Sequence, residues 1–408
     1  MTRDRVAFLF LNLGHFFDHL LVLVFATVAA LALAAEWNMS YGALIPYATP
    51  GFIAFGLCAL PAGWLADKWS REGMMIIFFL GIGLSALLTA LAQSPVQIGA
   101  GLLAIGVFAA IYHPVGLAMV VHGRTKTGMP LAVNGVFGNM GVAAAALLAG
   151  LLIDLAGWRA AFALPGAAAL LTGLAYAGFL WSGRKLRAEA RASGAAHRKA
   201  AAGTLSVDRA TVVRVLTIVF LSTGIGGLIF QSTTFALPKV FDERLTDLAG
   251  SASAVGWYAF LVFALAAFAQ LVVGYLVDRH SVRRVFAAVA ALQAVFFAVM
   301  HELTGPPALF VSIAFMLVVF GQIPINDVLV ARVSRNAWRS RIYACRYLLT
   351  FSVMASAIPL VAWLHATWGF AALFAVLAAA ATAIFLTVLQ LPTTLSTSEA
   401  APEAAGTG

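Results

Sequence analysis

Charge is scarce in this chain. Asp, Glu, Lys and Arg together make up 10% of its 408 residues, against about 25% in a soluble domain. With 62% hydrophobic residues, a water-soluble fold of this size could not hide its apolar surface, so a bilayer must act as solvent. Cysteine is nearly absent. Cys58 and Cys345 stand in apolar stretches with no metal-ligand spacing and no disulfide framework, and both are expected to pack as small hydrophobes. No Walker-type phosphate loop, nucleophile elbow or His/Cys metal constellation is found along the chain, so an ATP-driven pump, an enzyme, a cofactor and a metal centre are not expected. The apolar runs are continuous rather than alternating, which excludes a transmembrane barrel. The amino terminus carries no signal-peptide cleavage pattern, because Thr2-Arg-Asp-Arg5 leads straight into a span too long for an h-region.

What is present is a series of long apolar segments. At about 20 residues per crossing, about twelve helices fit the chain. They are predicted near 6–34, 41–66, 74–92, 97–121, 128–155 and 159–181, then 212–240, 251–277, 283–302, 306–332, 340–365 and 367–390. The fold class is therefore an all-α membrane protein of two six-helix bundles, 1–181 and 212–391. A basic linker, 182–211, joins them and a Ser/Thr/Ala-rich tail, 392–408, follows. The net charge of +9 does not point to nucleic acid, because the basic residues fall in loops on one side, as the positive-inside rule requires. That side collects Arg3, Arg5, Lys68, Arg71, Arg124, Lys126, the linker set, Arg279, Arg283, Arg284, Arg332, Arg335, Arg339 and Arg341. The other keeps Arg159, Lys239 and Arg244 against Glu36, Asp242, Glu243, Asp247 and Glu302. Both termini are expected in the cytoplasm, with the chain in an inner membrane.

The two halves repeat each other. Gly63-Trp-Leu-Ala-Asp67-Lys68-Trp-Ser-Arg71 recurs as Gly274-Tyr-Leu-Val-Asp278-Arg279-His-Ser-Val-Arg283-Arg284, with the aspartates 211 residues apart. Gly157-Trp-Arg-Ala-Ala-Phe162 is echoed 212 residues later by Gly369-Phe-Ala-Ala-Leu-Phe374, and Pro114 by Pro324 at 210. Three landmarks at nearly one spacing mark a duplication. On these residues the chain resembles the major facilitator superfamily over essentially its whole length. The Gly-x3-Asp-(Arg/Lys) loop after the second helix of each half is that family's best-known motif. The first copy departs from it, since Glu72 stands where a basic residue is usual. The resemblance implies two pseudo-symmetric bundles that rock to give alternating access, with Gly63, Asp67, Lys68, Arg71, Gly274, Asp278, Arg279 and Arg283 acting as a cytoplasmic gate. The other reading of the loop is topology alone, with basic residues holding it inside and the aspartate capping a helix.

Polar residues within the spans carry the chemistry, because an unpaired charge in hydrocarbon costs several kcal/mol. Span one holds Asn12, His15, Asp18 and His19, with Asp18 at mid-bilayer depth by helical rise. His15 precedes Asp18 by one turn, and a carboxylate beside imidazoles can hold and pass a proton. The family's first helix lines the central cavity, so Asp18, His15 and His19 are the proton-coupling candidates. A neutral hydrogen-bonded cluster pinning the helix is the alternative. Span four presents His113-Pro114, where the proline should kink the helix, and span five presents Asn134-Gly135 and Gly138-Asn139-Met-Gly141. The His-Pro pair followed by Gly-Asn-x-Gly is similar to the fosmidomycin-resistance branch of drug exporters. That branch typically has an acidic residue after His-Pro, and Val115 stands there instead.

The second half offers Gln231-Ser-Thr-Thr in span seven, Gln322 through Asn326-Asp327 in span ten and Arg346 in span eleven. Asp327 and Arg346 lie at equal depth on neighbouring antiparallel helices and should pair, either as a fixed fastening or as a cavity group that an anion could engage. His113, Asn134, Asn139, Gln231, Asn326, Asp327 and Arg346 are the candidate solute contacts, with Phe16, Phe17, Phe25, Phe137 and Phe230 as candidate aromatic walls. The expected function is proton-coupled export of a drug-like or small metabolite solute by a monomer in the bilayer. Uptake of a small organic anion, and a non-transporting receptor or scaffold on the same fold, are the alternatives.

Overall fold

A computed structural model describes residues 2–124, 128–183, 209–333 and 336–392. Within these, the side chains of 331–341, 343, 344 and 347 lie outside the description. Eleven continuous helices are long and apolar enough to cross a membrane, and no strand occurs among the described residues. They are α1 (Arg3–Glu36), α2 (Tyr41–Lys68), α3 (Arg71–Thr89), α4 (Pro95–Val121), α5 (Met129–Ala156) and α6 (Trp158–Ser182). The second set is α7 (Arg209–Arg244), α8 (Ala252–Arg279), α9 (Val282–Met300) and α10 (Gly305–Val330), followed by one helix spanning Asn336–Val388. That last helix breaks at Gly369, where φ is 71° and ψ −171°. It therefore supplies two crossings, α11 (336–368) and α12 (370–388), which reconciles eleven helices with twelve predicted spans. Linker residues 184–208, tail residues 393–408, Lys126 and Arg335, and the side chains of Arg332, Arg339 and Arg341, fall outside what is described.

Local chemistry sets the helix ends. Ser40, Ser70, Ser94 and Ser251 each accept a hydrogen bond from the backbone N–H three residues on, satisfying an otherwise orphaned donor at the start of α2, α3, α4 and α8. One π turn, Ala29–Leu33 in α1, contains no proline, but two other interior irregularities do. Pro46 sits in a 3₁₀ turn at Ile45–Ala48 within α2, and Pro114 sits in a π turn at Tyr112–Gly116 within α4. Pro324, its counterpart in the second half, lies inside an uninterrupted α10.

The ends at Arg3 and Ser182 lie together, since Arg3 donates to the Phe179 carbonyl at 2.5 Å and its guanidinium stands 4.2 Å over the Phe179 ring. With an even number of crossings in each half, Arg209 and Val388 end on this same terminal side. Exposed tryptophans ring both ends of the bundle: Trp64, Trp69 and Trp181 on the terminal side, and Trp257, Trp363 and Trp368 on the opposite one. Such belts mark the two membrane interfaces. The chain is a multi-pass membrane protein.

The two halves meet along two related seams, α5 with α8 and α2 with α11. Near the opposite side these seams are backbone against backbone. A Cβ on Gly150 would lie 2.3 Å from the Ala252 carbonyl oxygen, one on Gly256 2.6 Å from that of Ala146, and one on Gly42 2.9 Å from that of Ala362. Asp154 on α5 also accepts the Ser253 N–H of α8 at 2.7 Å. The three basic residues of this side are all engaged. Arg159 and the Trp158 indole bind Glu36, Lys239 pairs with Asp242 and Glu243, and Arg244 donates to the Met300, His301 and Leu303 carbonyls.

Candidate functional site

A cavity of about 260 Å³ lies between the halves, lined by residues of both. Four aromatic rings frame it, Phe52 and Phe55 from α2, Phe230 from α7 and Phe351 from α11. Of the five phenylalanines expected as walls, Phe230 alone lines it. Phe25 is wholly buried against Phe235, and Phe17 belongs to the core. These helices are apolar all round, so sequence spacing does not separate a cavity-facing ring from a core or lipid-facing one. Cys345 is exposed rather than packed, and Cys58 is half-buried.

The first half contributes its titratable groups. The cavity is lined by His15 and His19 of α1, His113 of α4 and Asn139 of α5. Asp18 lies behind them, fully buried. Its Oδ2 stands 3.4 Å from His113 Nε2, and neither carboxylate oxygen has a hydrogen-bond partner. The sequence placed His15 beside Asp18 because the two are one turn apart, and it placed His113 among the solute contacts. The structure instead gives the acid to His113, across the α1–α4 interface. His15 turns away, with its Nδ1 2.8 Å from the Asn134 carbonyl oxygen and its ring stacked on Tyr112 at 4.8 Å. The ring lies over Gly138, where a Cβ would come within 2.6 Å of Nε2.

Asn134 is a correction of another kind. It does not line the cavity but sits at 0% exposure beneath it, donating to Asn12 Oδ1 at 2.9 Å and sharing hydrogen bonds with the Tyr112 hydroxyl. That hydroxyl also donates to the Leu11 carbonyl at 2.8 Å. The network fastens α1, α4 and α5 and presents the histidines. Tyr112 and Asn12 have no distinguishing signal in the sequence beyond their neighbours.

The second half contributes amides and one ion pair. Gln231, Gln322, Asn326, Asp327 and Arg346 all line the cavity. Gln322 is held from both sides, accepting from Gln293 Nε2 at 2.8 Å and donating to the Ser222 carbonyl at 3.3 Å. The Ser222 hydroxyl donates in turn to Asn326 Oδ1 at 3.2 Å. Ser222 and Gln293 were missed because a lone serine or glutamine in an apolar span carries no spacing to read. Gln231 Nε2 and Asn139 Nδ2 are buried donors without a protein acceptor, so they are available to a solute. Arg346 and Asp327 form an ion pair, with 6% and 45% of their side chains exposed.

The loop motif is asymmetric. Asp67 accepts from Arg71 at 2.7 Å within its own loop, with side chains 67% and 39% exposed. Gly63 packs α2 onto the bend of α4, since a Cβ there would sit 3.2 Å from Pro114. Gly274 has open space around it. Asp278 and Arg279 are exposed, and Arg279 lies 4.4 Å over the Tyr275 ring. Lys68 is also exposed, whereas Arg283 is half-buried.

No single helix spacing reveals the histidine cluster. His19 and His113 are 94 residues apart in sequence, yet the ligand nitrogens of His15, His19 and His113 all lie within 4.8 Å of one another. The chain matches the family model described as Major Facilitator Superfamily over residues 11–245 and 240–407. It is 34% identical over 146 residues to puromycin resistance protein pur8 of Streptomyces alboniger, a match spanning 34% of this chain and 29% of that protein. Among solved structures it resembles a D-xylose-proton symporter, with TM-score 0.72 and 15% identity over 96% of this chain and 99% of that one. It also resembles the inward open xylose transporter XylE from E. coli, with TM-score 0.71 and 13% identity over 96% and 97% of the two chains. At these identities the structural likeness concerns the fold alone.

Proposed function

The chain belongs to the major facilitator superfamily and is a transporter rather than an enzyme; on that footing we propose that it exports an amphipathic drug-like or small metabolite solute across an inner membrane in exchange for protons. Both ends of the chain lie in the cytoplasm in this reading, and one chain suffices, because the cavity is complete within it.

The observation that carries the proposal is the Asp18–His113 pair. A fully buried carboxylate stands 3.4 Å from the His113 imidazole, and that imidazole lines the cavity. An ionised carboxylate left alone in a dry interior is costly, so the pair favours holding a proton between them. His113 is flanked by Phe55, edge-on at 5.7 Å, and by Phe351, tilted at 5.6 Å, and these two rings meet each other at 4.9 Å between centroids across the α2–α11 seam. Rocking of the halves would separate the two rings and change the access of His113 to water. Proton release and solute movement are thereby tied to one motion.

Export is supported by the resemblance to a resistance protein over part of the chain. The aromatic frame and the neutral amides Gln231, Gln322, Asn326 and Asn139 suit an amphipathic solute better than a strongly charged one. Anion uptake has less support, because the Arg346 guanidinium already has Asp327 as its counter-ion. In this conformation Asp67 and Asp278 are exposed, as a released terminal-side gate would be.

Everted vesicles test the reading with puromycin and other amphipathic cations as trial solutes. Solute addition should drive proton flux in the wild type, and Asp18→Asn should abolish it at equal expression. Undiminished flux in Asp18→Asn would overturn the assignment.

A further inference from the structure

We propose that His15, His19 and His113 form a binding site for a borderline divalent transition-metal ion, such as zinc or cobalt, with its remaining coordination position open to the cavity. The site does not depend on the proton-exchange reading, since it rests on where the three imidazoles stand and on what holds them.

His15 and His19 are four residues apart and share one face of α1, the spacing by which two histidines on a helix hold a metal. His113 completes the triangle from α4. The ring centroids are 5.0 Å apart for His15–His19, 5.4 Å for His15–His113 and 5.5 Å for His19–His113. An ion about 2.1 Å from each nitrogen needs those nitrogens about 3.4 Å apart. They already lie within 4.8 Å of one another, so modest ring rotations close the triangle. Neutral imidazole is the ligand that borderline ions prefer, whereas magnesium and calcium take oxygen.

The surroundings match what a metal site requires of its second layer. Metal-bound histidines usually donate their other ring N–H to a carbonyl or carboxylate, which fixes tautomer and orientation. His15 has the Asn134 carbonyl oxygen at 2.8 Å from Nδ1, and His113 has Asp18 Oδ2 at 3.4 Å from Nε2. Each is thus backed on one nitrogen by an oxygen. Asp18 is fully buried, and its negative charge would offset part of the ion's. The cavity position left to the ion is open to water or to a donor atom of a solute, so a chelating solute and its metal could enter together.

The test uses full-length protein purified in detergent without a polyhistidine tag, with cobalt(II) as the probe. One equivalent should give the intense visible bands of tetrahedral cobalt, and zinc should displace them. His19→Gln and His113→Gln should each weaken binding by at least tenfold, while His365→Gln, a histidine paired with Glu243 outside the cavity, should not. Thermal melting without metal establishes that the variants fold. A zinc-dependent rise in the melting temperature of the wild type gives a second readout. Absence of tetrahedral bands, or bands unchanged in both cavity variants, would overturn the site. The titration involves no transport and the vesicle assay no added metal, so failure of one leaves the other standing.

Discussion

The two halves share a scaffold and diverge in chemistry. In the first, Pro114 lies in a π turn that turns His113 toward Asp18; in the second, Pro324 lies in an unbroken helix. The first half faces the cavity with three imidazoles and keeps an acid behind them. The second faces it with amides, anchored by Gln293 and Ser222, and with a compensated ion pair. The loop glycines differ likewise, Gly63 packed on Pro114 and Gly274 in open space. A duplicated fold keeps what both copies need for packing and is free to assign different tasks to the cavity walls. On the proposed function, protons fall to the first half and solute orientation to the second.

That division can be broken or sharpened in order of expected effect. Asp18→Asn should remove solute-driven proton flux while leaving solute exchange between equal concentrations intact, measured in vesicles; loss of exchange as well would erase the division. Gly141→Val should come next. A Cβ there would lie 2.2 Å from the Phe16 carbonyl oxygen, and overpacking of this kind destabilises by about 1–3 kcal/mol, visible as a lower melting temperature in detergent.

Asp327→Asn leaves the buried Arg346 without its counter-ion. Because the Asp327 side chain is 45% exposed, its effect should fall short of the roughly 3–5 kcal/mol of a fully buried pair. Transport restored in the Asp327→Asn, Arg346→Gln double variant would make the pair a fastening rather than a solute contact. Asp67→Asn should change stability by no more than about 0.5 kcal/mol, since the Arg71 pair is exposed. Its effect should appear instead in the labelling rate of cysteines introduced at the cavity mouth. Gly274→Ala should be the mildest, neutral or slightly stabilising in the same melting assay, because nothing crowds the position and alanine favours helix.

Much of the scaffold was legible in the sequence because a bilayer makes it so. Long apolar runs must be helices there, and their ends shift only by a few residues between expectation and structure. The Asp327–Arg346 pairing was legible for a similar reason, since equal depth on adjacent antiparallel helices leaves little choice of partner. The histidine cluster was not. Its members come from α1 and α4, and the rotation of each helix about its axis is set by packing at Gly138, Tyr112 and Asn134. A helix that is apolar on every side gives no stripe from which to read that rotation. The same lack of a stripe misplaced four phenylalanines and put Asn134 in the cavity rather than beneath it.

The corner before the last helix of each half has a consequence for descent. Gly157 has φ 81° and ψ 165°, and Gly369 φ 71° and ψ −171°, a region of backbone space almost closed to any residue with a side chain. A charged loop can exchange one basic residue for another, or admit Glu72, without strain on the backbone. These corners have no such latitude, so drift is stopped at them whatever the cargo becomes. In a diverged relative, paired glycines at this interval would outlast the charged loops as a record of the ancestral doubling.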